Sequence, residues 1–323
     1  MTWKTAATII LFNTEIRQVL MMKRGGSAPF MPNSYVFPGG VVEAQRDAEF
    51  PKQKTNFDCF MEQSIKMESF PSDYPLRVAA VRELFEESGL LLVAYENCRE
   101  RQILNCSEDA GLEDWRKKVC QDPKLFPQLF FGNTKMDIKS CVPWSNWLTP
   151  LKKVPTKRYD SIFFVVETKN SPNVKHCEKE MTEAVWTEPS KIIGRSSGKG
   201  TISLPPPQYY ELLRLRLSVG TPLTTLANPT RITPQTIISE ENHSFTVNIF
   251  PGDHCYIQEN AEFVEPRVMP IKDLTIDSEE TRPVHRMTYT STPTLQYTAH
   301  ELHLRNIEKI EGTHIFSTST KTS

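Results

Sequence analysis

The chain has 323 residues, 38% hydrophobic and 24% charged, with 38 lysines and arginines against 39 acidic residues and a net charge of −1. That length accommodates two domains, or one domain with a large appendage, in a composition typical of globular proteins. The balanced charge gives no electrostatic reason to expect nucleic-acid or membrane-surface binding, and no apolar run reaches the roughly 18–20 residues a membrane span needs.

The N-terminal stretch MTWKTAATIILFN lacks a small-residue cleavage site and reads as a first strand rather than a signal peptide. Residues 7–13 and 18–24 are rich in strand formers around a polar turn, which predicts a β-hairpin. Residues 25–34 read as a loop, and YVFPGG (35–40) as a short strand ending in a Pro-Gly-Gly turn. Residues 44–74 lose periodicity and read as an insertion, with one short helix expected around CFMEQSIKM. A helix follows. Ser72 or Asp73 is its expected N-cap, Pro75 lies in the first turn, Val78, Val81, Leu84 and Phe85 form the apolar stripe, and Gly89 is the stop.

LLLVAY (90–95) is the next strand, and residues 108–132 suggest a helical addition with aromatics enough to dock. Strands are expected at 144–150 and 159–168, and a strand followed by a short helix over 183–193. LPPPQYYELLRLRL (204–217) reads as a proline-started helix. Trp144, Trp147, Phe163 and Phe164 are expected in the core. After about residue 220 the composition turns to Thr, Pro and Ser, and 245–257 reads as a hairpin before a frayed end. The expected domains are therefore 1–220 and a C-terminal extension, 221–323.

Seven cysteines are scattered without a CxxC, so neither a disulfide framework nor a zinc site is expected, and a reducing compartment is the default. His300 and His303 stand three apart, a spacing that a surface helix explains as well as a metal does.

The chemistry concentrates in AVRELFEESGLLL, residues 80–92. On a helix, Glu83, Glu86 and Glu87 stand at i, i+3 and i+4 and share a face, where like charges repel. A solvated face would explain them. The upstream FPGG bend and the strand straight after the helix suggest instead a carboxylate cradle facing bent backbone. Carboxylate and carbonyl oxygens are what hard divalent cations prefer, which points to Mg2+ or Mn2+.

RELFEESGL (82–90), with Gly40 upstream, resembles the signature of the Nudix hydrolases. The interval from Gly40 to Arg82 is far longer than that family's box, so an insertion interrupts it, and the box's intervening glutamate has no counterpart at the expected count. An interrupted box, with FMPNSYVFPGGVVEA (30–44), WSNWLTP (144–150), RYDSIFFVVE (158–167), LPPPQYYE (204–211) and PGDHCYI (251–257) in order, resembles the peroxisomal acyl-coenzyme A diphosphatase branch. The upstream motif of coenzyme A-cleaving relatives is partly kept: Arg24 matches its first arginine, while the second falls on Pro29 and the glycine on Asn33.

The resemblance implies an α+β Nudix fold, a mixed sheet between helices, with the insertion and added C-terminal segments. It implies metal-dependent hydrolysis of (acyl-)coenzyme A to 3′,5′-ADP and (acyl-)4′-phosphopantetheine. Glu83, Glu86, Glu87 and a carbonyl of Gly39 or Gly40 would hold the metal, Arg82 would orient a glutamate, and a box glutamate, Glu180 or Glu183 would be the base. Arg24 is a candidate for substrate, and the basic cluster Lys152, Lys153, Lys157 and Arg158 for the 3′-phosphate. The alternatives are a diphosphatase for ADP-ribose, dinucleotides or RNA caps, and a Nudix-fold binding module without catalysis. The branch implies peroxisomes, but its Ser-Lys-Leu-like terminal tripeptide is not matched by Lys321-Thr322-Ser323, leaving cytoplasm and mitochondrion as alternatives.

Overall fold

A computed structural model of the chain describes residues 3–28, 30–57, 70, 72–95, 101–152, 157–197, 200–275, 281–290 and 298–305. It divides into two compact units: Lys4–Trp144 with Ser161–Glu188, and Met1–Trp3 with Ser145–Asp160 and Pro189–Ser323. The compositional change near residue 220 thus lies inside the second unit. Among the described residues no helix is long and apolar enough to cross a membrane.

In the first unit, β1 (Lys4–Asn13) and β2 (Gln18–Arg24) form the expected hairpin, with Phe12 opposite Val19. Asn13 makes the turn: its Oδ1 accepts the N–H groups of Glu15 and Ile16 at 2.9 and 3.1 Å. β3 (Tyr35–Val36) adds to β2, and β4 (Gly39–Val41) pairs with β1, Gly40 opposite Ala7. α1 (Tyr74–Ser88) is the glutamate helix. Asp73 stands at its N-cap, but its carboxylate turns to Arg77, Nε to Oδ2 2.9 Å, while Ser72 Oγ accepts the Tyr74 N–H. Gly89 ends the helix at φ +74°, and a Cβ there would lie 3.0 Å from both the Cys106 Cβ and Arg116 Nη1. Left-handed backbone and crowding both call for glycine.

The helix departs from the single apolar stripe read from its periodicity. Leu76, Ala79 and Ala80 are as fully buried as Val78, Val81, Leu84 and Phe85, and Arg77, Arg82 and Glu87 are buried too. The cause is tertiary: β1, β4 and β5 (Leu90–Tyr95) all pack against α1, and α2 (Ala110–Gln121) adds a further contact. β5 centres a small sheet between β6 (Gln102–Asn105) and β7 (Thr134–Met136). The predicted helical addition is α2 and a 3-10 segment, Pro123–Leu129.

Residues 44–57 of the insertion are integral to this unit. Phe50 packs on Phe126 and Phe130, each at 5.8 Å between ring centroids, and its carbonyl accepts the Tyr74 hydroxyl at 2.7 Å. Asn56 Nδ2 donates to Asp137, and its Oδ1 accepts from Ile138 and Lys139. The helix expected around residues 59–67 lies outside the described residues.

Beyond β8 (Val142–Leu148), β9 (Tyr159–Thr168) and β10 (Met181–Thr187) complete the main sheet of the first unit, in the order β10-β2-β1-β9. In the second unit come α3 (Pro189–Ser196), α4 (Pro206–Leu217) and β11 (Arg231–Ile232), the last parallel to β8. A five-stranded sheet follows. Its strands are β12 (Gln235–Ser239), β13 (Thr246–Ile249), β14 (Arg267–Met269), β15 (Val284–Thr290) and β16 (Thr298–Arg305), in the order β14-β12-β13-β15-β16.

Two sequence expectations are corrected here. Residues 245–257 are not a hairpin: β13 pairs with β12 and β15, and the chain after it is a loop. The Asp253 carboxylate holds that loop by accepting from the backbone of Cys255 and His285 and from both arms of Arg286. His300 and His303 fall in strand β16 rather than on a helix.

His285 is buried in an aromatic group with Tyr210 and Phe250, its Nδ1 on the Pro251 carbonyl and its Nε2 3.1 Å from the Tyr210 hydroxyl. Burial pushes its pKa down to about 4. A histidine kept neutral in the fold stabilises above its unfolded pKa, about 6.5, and that stability is lost as pH falls toward 4. Denaturant titrations between pH 7 and pH 4 should therefore show this residue removing up to about 1.4 kcal/mol per pH unit. A His285→Gln variant should show a shallower acid dependence; an unchanged slope would assign the effect elsewhere.

Candidate active site

The site is built where α1 passes the bend of β4. Gly39 and Gly40 are glycines because there is no room for a side chain. A Cβ on Gly39 would lie 2.5 Å from the Ala7 carbonyl, and one on Gly40 would lie 2.5 and 2.6 Å from the carboxylate oxygens of Glu83. The Gly39 N–H donates to Glu87 Oε2 at 2.9 Å. The fold thus brings Glu83, Glu87 and Gly40 together across the 42 positions from Gly40 to Arg82.

Arg82 ties the same region from beneath. Its Nη1 donates to Glu83 Oε1 at 2.7 Å and lies 3.5 Å from Glu86 Oε1, and its Nη2 donates to the Val41 carbonyl. Its remaining partner is Asp47, which accepts from Nε at 2.8 Å and from Nη2 at 3.0 Å. Both side chains are buried. Burial works against the guanidinium's charge, but Glu83, Asp47 and Glu86 outweigh it and raise its pKa. Arg82 is therefore fully spent on the protein. Sequence reading missed Asp47; the one available signal was an acid soon after the glycine bend, at a count the signature does not predict.

The three glutamates carry the electrostatic strain. Burial pushes Glu86 up to about 7, against the pull of Arg82. Burial also raises Glu83, and raises Glu87 well above the carboxylate range, where the Glu83 charge adds to the effect. Such groups favour either a proton or a nearby positive charge.

Two further groups face this cluster. Arg24, at the end of β2, draws the Glu87 pKa down by its charge, and its buried Nε has no hydrogen-bond partner among the described residues. Glu180 raises both Glu83 and Glu87. It sits in a turn fastened at two points: the Cys177 N–H donates to the Glu87 carbonyl at 2.9 Å, and the Glu180 carbonyl accepts the Gly25 N–H at 3.0 Å. Glu183 instead accepts the Tyr35 hydroxyl at 2.7 Å. Asn33, at the position of the upstream motif's glycine, has φ +58°, a left-handed conformation that asparagine tolerates. Pro29 lies outside the described residues.

Lys157 and Arg158 belong to the second unit. Lys157 and Lys152 are exposed, and Lys153 lies outside the described residues. Arg158 is buried, donates Nε to the Thr149 carbonyl at 2.8 Å and lies 5.4 Å from the centre of the Trp3 ring; burial lowers its pKa.

The glutamate site suits a hard divalent cation on three counts: an all-oxygen donor set, raised carboxylate pKa values, and a buried Glu86 Oε1 that meets Arg82 Nη1 at 3.5 Å without a well-formed hydrogen bond. The tighter cluster of ligand-type atoms, Asp253, His254 and Cys255 within 4.8 Å of one another, is a poorer candidate. Asp253 is committed to Arg286 and two backbone amides, and His254 Nδ1 meets the Pro283 carbonyl.

Comparison with known proteins gives the family. The family model described as NUDT19 Nudix domain matches residues 45–215. Nudix hydrolase 7 of Caenorhabditis elegans is 32% identical over 321 residues, covering 99% of this chain and 96% of its own. The acyl-coenzyme A diphosphatase NUDT19 of Homo sapiens is 29% identical, covering 84% and 80%. The crystal structure of a Nudix hydrolase from Alicyclobacillus acidocaldarius superposes with a TM-score of 0.51 at 23% identity, covering 67% of this chain and 91% of that one, a likeness of fold. With an α+β architecture, a glutamate helix against a diglycine bend and a family match across more than half its length, the chain is a Nudix hydrolase of the NUDT19 Nudix domain family.

Proposed function

We propose that the protein cleaves the diphosphate of coenzyme A or acyl-coenzyme A, with Mg2+ or Mn2+, to 3′,5′-ADP and (acyl-)4′-phosphopantetheine. The observation that carries this reading is the glutamate cradle against Gly39 and Gly40, with Glu87 buried and Glu83 and Glu86 half-buried, in a chain similar along most of its length to acyl-coenzyme A diphosphatases. Glu83, Glu86, Glu87 and a carbonyl of Gly39 or Gly40 would hold the ion. Once bound, it supplies positive charge to the diphosphate oxygens and lowers the pKa of water.

The chain's own residues divide the remaining work. Arg82 fixes Glu83 and is not available to substrate, because its N–H groups already have partners. Arg24 is the cation beside Glu87 for a phosphate oxygen. Of the two candidate acids, Glu180 in the turn before β10 acts on the charge of Glu83 and Glu87, whereas Glu183 lies within β10 and is engaged by Tyr35, so Glu180 is the base to test first. In the second unit Arg158 gives its Nε to the Thr149 carbonyl and lies against Trp3, its buried Nη1 and Nη2 have no hydrogen-bond partner among the described residues, and Lys157 is exposed.

Incubation with coenzyme A and Mg2+ should yield 3′,5′-ADP and phosphopantetheine by mass spectrometry. Faster turnover of ADP-ribose, a dinucleotide or capped RNA would reassign the substrate. Glu86→Gln and Glu87→Gln should each lower the rate at least tenfold, about 1.4 kcal/mol of barrier, with unchanged circular dichroism.

Metal binding has its own signature. An ion that binds only the folded state stabilises it by about 2.7 kcal/mol at 100 times its Kd. Mg2+ or Mn2+ should therefore raise the melting temperature above that in chelator, and the two glutamine variants should lose most of the shift. Equal shifts in wild type and variants would place the ion elsewhere.

A further inference from the structure

We propose that Arg116 is a positioning residue for Glu180: it holds the Lys175 carbonyl against the end of the glutamate helix, and so fixes the turn that carries Glu180 beside Glu83 and Glu87. The proposal rests on the reading of Glu180 as the base. It gives α2, the helical addition, a part in the reaction.

Between β9 and β10 the chain has no regular structure over residues 170–177 and ends in a turn at 178–180. A stretch without a helix or ladder of its own is placed by the bonds its neighbours offer. These come in order along it. Trp186 Nε1 donates to the Pro172 carbonyl at 2.9 Å, Ser107 Oγ to the Asn173 carbonyl at 3.3 Å, and Arg116 Nη1 to the Lys175 carbonyl. The Cys177 N–H then donates to the Glu87 carbonyl at 2.9 Å. Glu87 is in the last turn of α1, where carbonyls have no partner within the helix. The Cys177 carbonyl closes the turn by accepting from the N–H groups of Glu180 and Met181 at 3.1 and 2.9 Å.

Of the three side-chain donors in that series, only Arg116 is buried. Its Nη2 donates to Glu113 Oε1 at 3.2 Å, three positions back on α2, which fixes the guanidinium from its other edge. Gly89 supplies the room. A Cβ there would lie 3.0 Å from Arg116 Nη1 and 3.2 Å from the Lys175 carbonyl oxygen. The end of α1, Arg116 and Lys175 thus meet at one point, two residues before Cys177 reaches Glu87.

Glu180 itself is exposed, and its charge acts on Glu83 and Glu87. An exposed carboxylate on a turn is only as well placed as the backbone beneath it. A displacement of about 1 Å in a reacting group costs on the order of a hundredfold in rate. Loss of Arg116 removes the donor that anchors Lys175 and leaves the Glu113 carboxylate without its guanidinium.

The experiment is a double-mutant cycle on the full chain, with coenzyme A at saturating Mg2+ and every variant compared at a temperature where circular dichroism shows it folded. Glu180→Gln should lower kcat about a hundredfold and Arg116→Gln about tenfold, with KM nearly unchanged in both. The double variant should be within about twofold of Glu180→Gln, because misplacing a base costs nothing once the base is gone. Mn2+ affinity by electron paramagnetic resonance should be unchanged in Arg116→Gln, since the glutamates of α1 keep their own contacts. Glu113→Gln combined with Arg116→Gln removes both charges together, leaves no buried carboxylate unpaired, and should show the same loss and the same non-additivity; it is the arm that survives if Arg116→Gln does not fold. Arg77→Gln, which breaks the buried pair with Asp73, should lower the melting temperature and leave kcat near wild type. Losses at Arg116 and Glu180 that multiply, a tenfold weaker Mn2+ affinity in Arg116→Gln, or an equal loss of kcat in Arg77→Gln would each overturn the proposal. Glu180→Gln at the wild-type rate would overturn the reading of Glu180 as the base, and the proposal with it. A wild-type protein that cleaves no coenzyme A would instead overturn the functional reading.

Discussion

A single buried guanidinium organises the site. Arg82 lies between the insertion's first turn and the glutamates of α1, and its N–H groups reach Asp47, Glu83 and the Val41 carbonyl. A buried charge of this kind is tolerable only when its partners are in place, so the geometry is stringent. β4 must run close enough to offer Val41, and α1 must be rotated so that Glu83 lies against Gly40. The turn at Ala44–Ala48 must close. Packing on nearly every side of α1 holds these conditions together, which explains a helix with far less exposed surface than its polar residues suggest.

The diglycine bend is the second constraint, and it is steric. Gly39 presses on the β1 backbone and Gly40 on the Glu83 carboxylate. Removing two side chains lets the helix approach the sheet closely enough for the Gly39 N–H to reach Glu87. The same approach desolvates the glutamates and raises their pKa values. Close packing and affinity for positive charge are thus one property of the fold seen from two sides.

The insertion changes meaning in this setting. As sequence it is a charged stretch without period. In the fold, residues 44–57 supply the counter-ion of Arg82, an aromatic ring for the Phe85, Phe126 and Phe130 group, and an asparagine that binds the backbone around residue 138. None of these roles needs a periodic pattern, since each depends on one side chain meeting a distant partner. The second unit shows the same economy: Asp253, through Arg286 and His285, turns what reads as a hairpin into a loop.

Local features were legible from sequence because their causes are local. The spacing of Glu83, Glu86 and Glu87 follows from helical geometry, Gly89 from the left-handed backbone of a helix end, and the first hairpin from Asn13 and its neighbours. The family resemblance extended that reading to the fold and the class of reaction. Partner choice was beyond it. That Arg82 is matched by Asp47, that Glu183 is taken by Tyr35, and that Arg158 is buried under Trp3 rather than displayed with Lys157 are all decided by segments far apart in the chain. Charge and spacing say which residues are able to bind; only the tertiary fold, by burying some and desolvating others, decides which are already bound to one another.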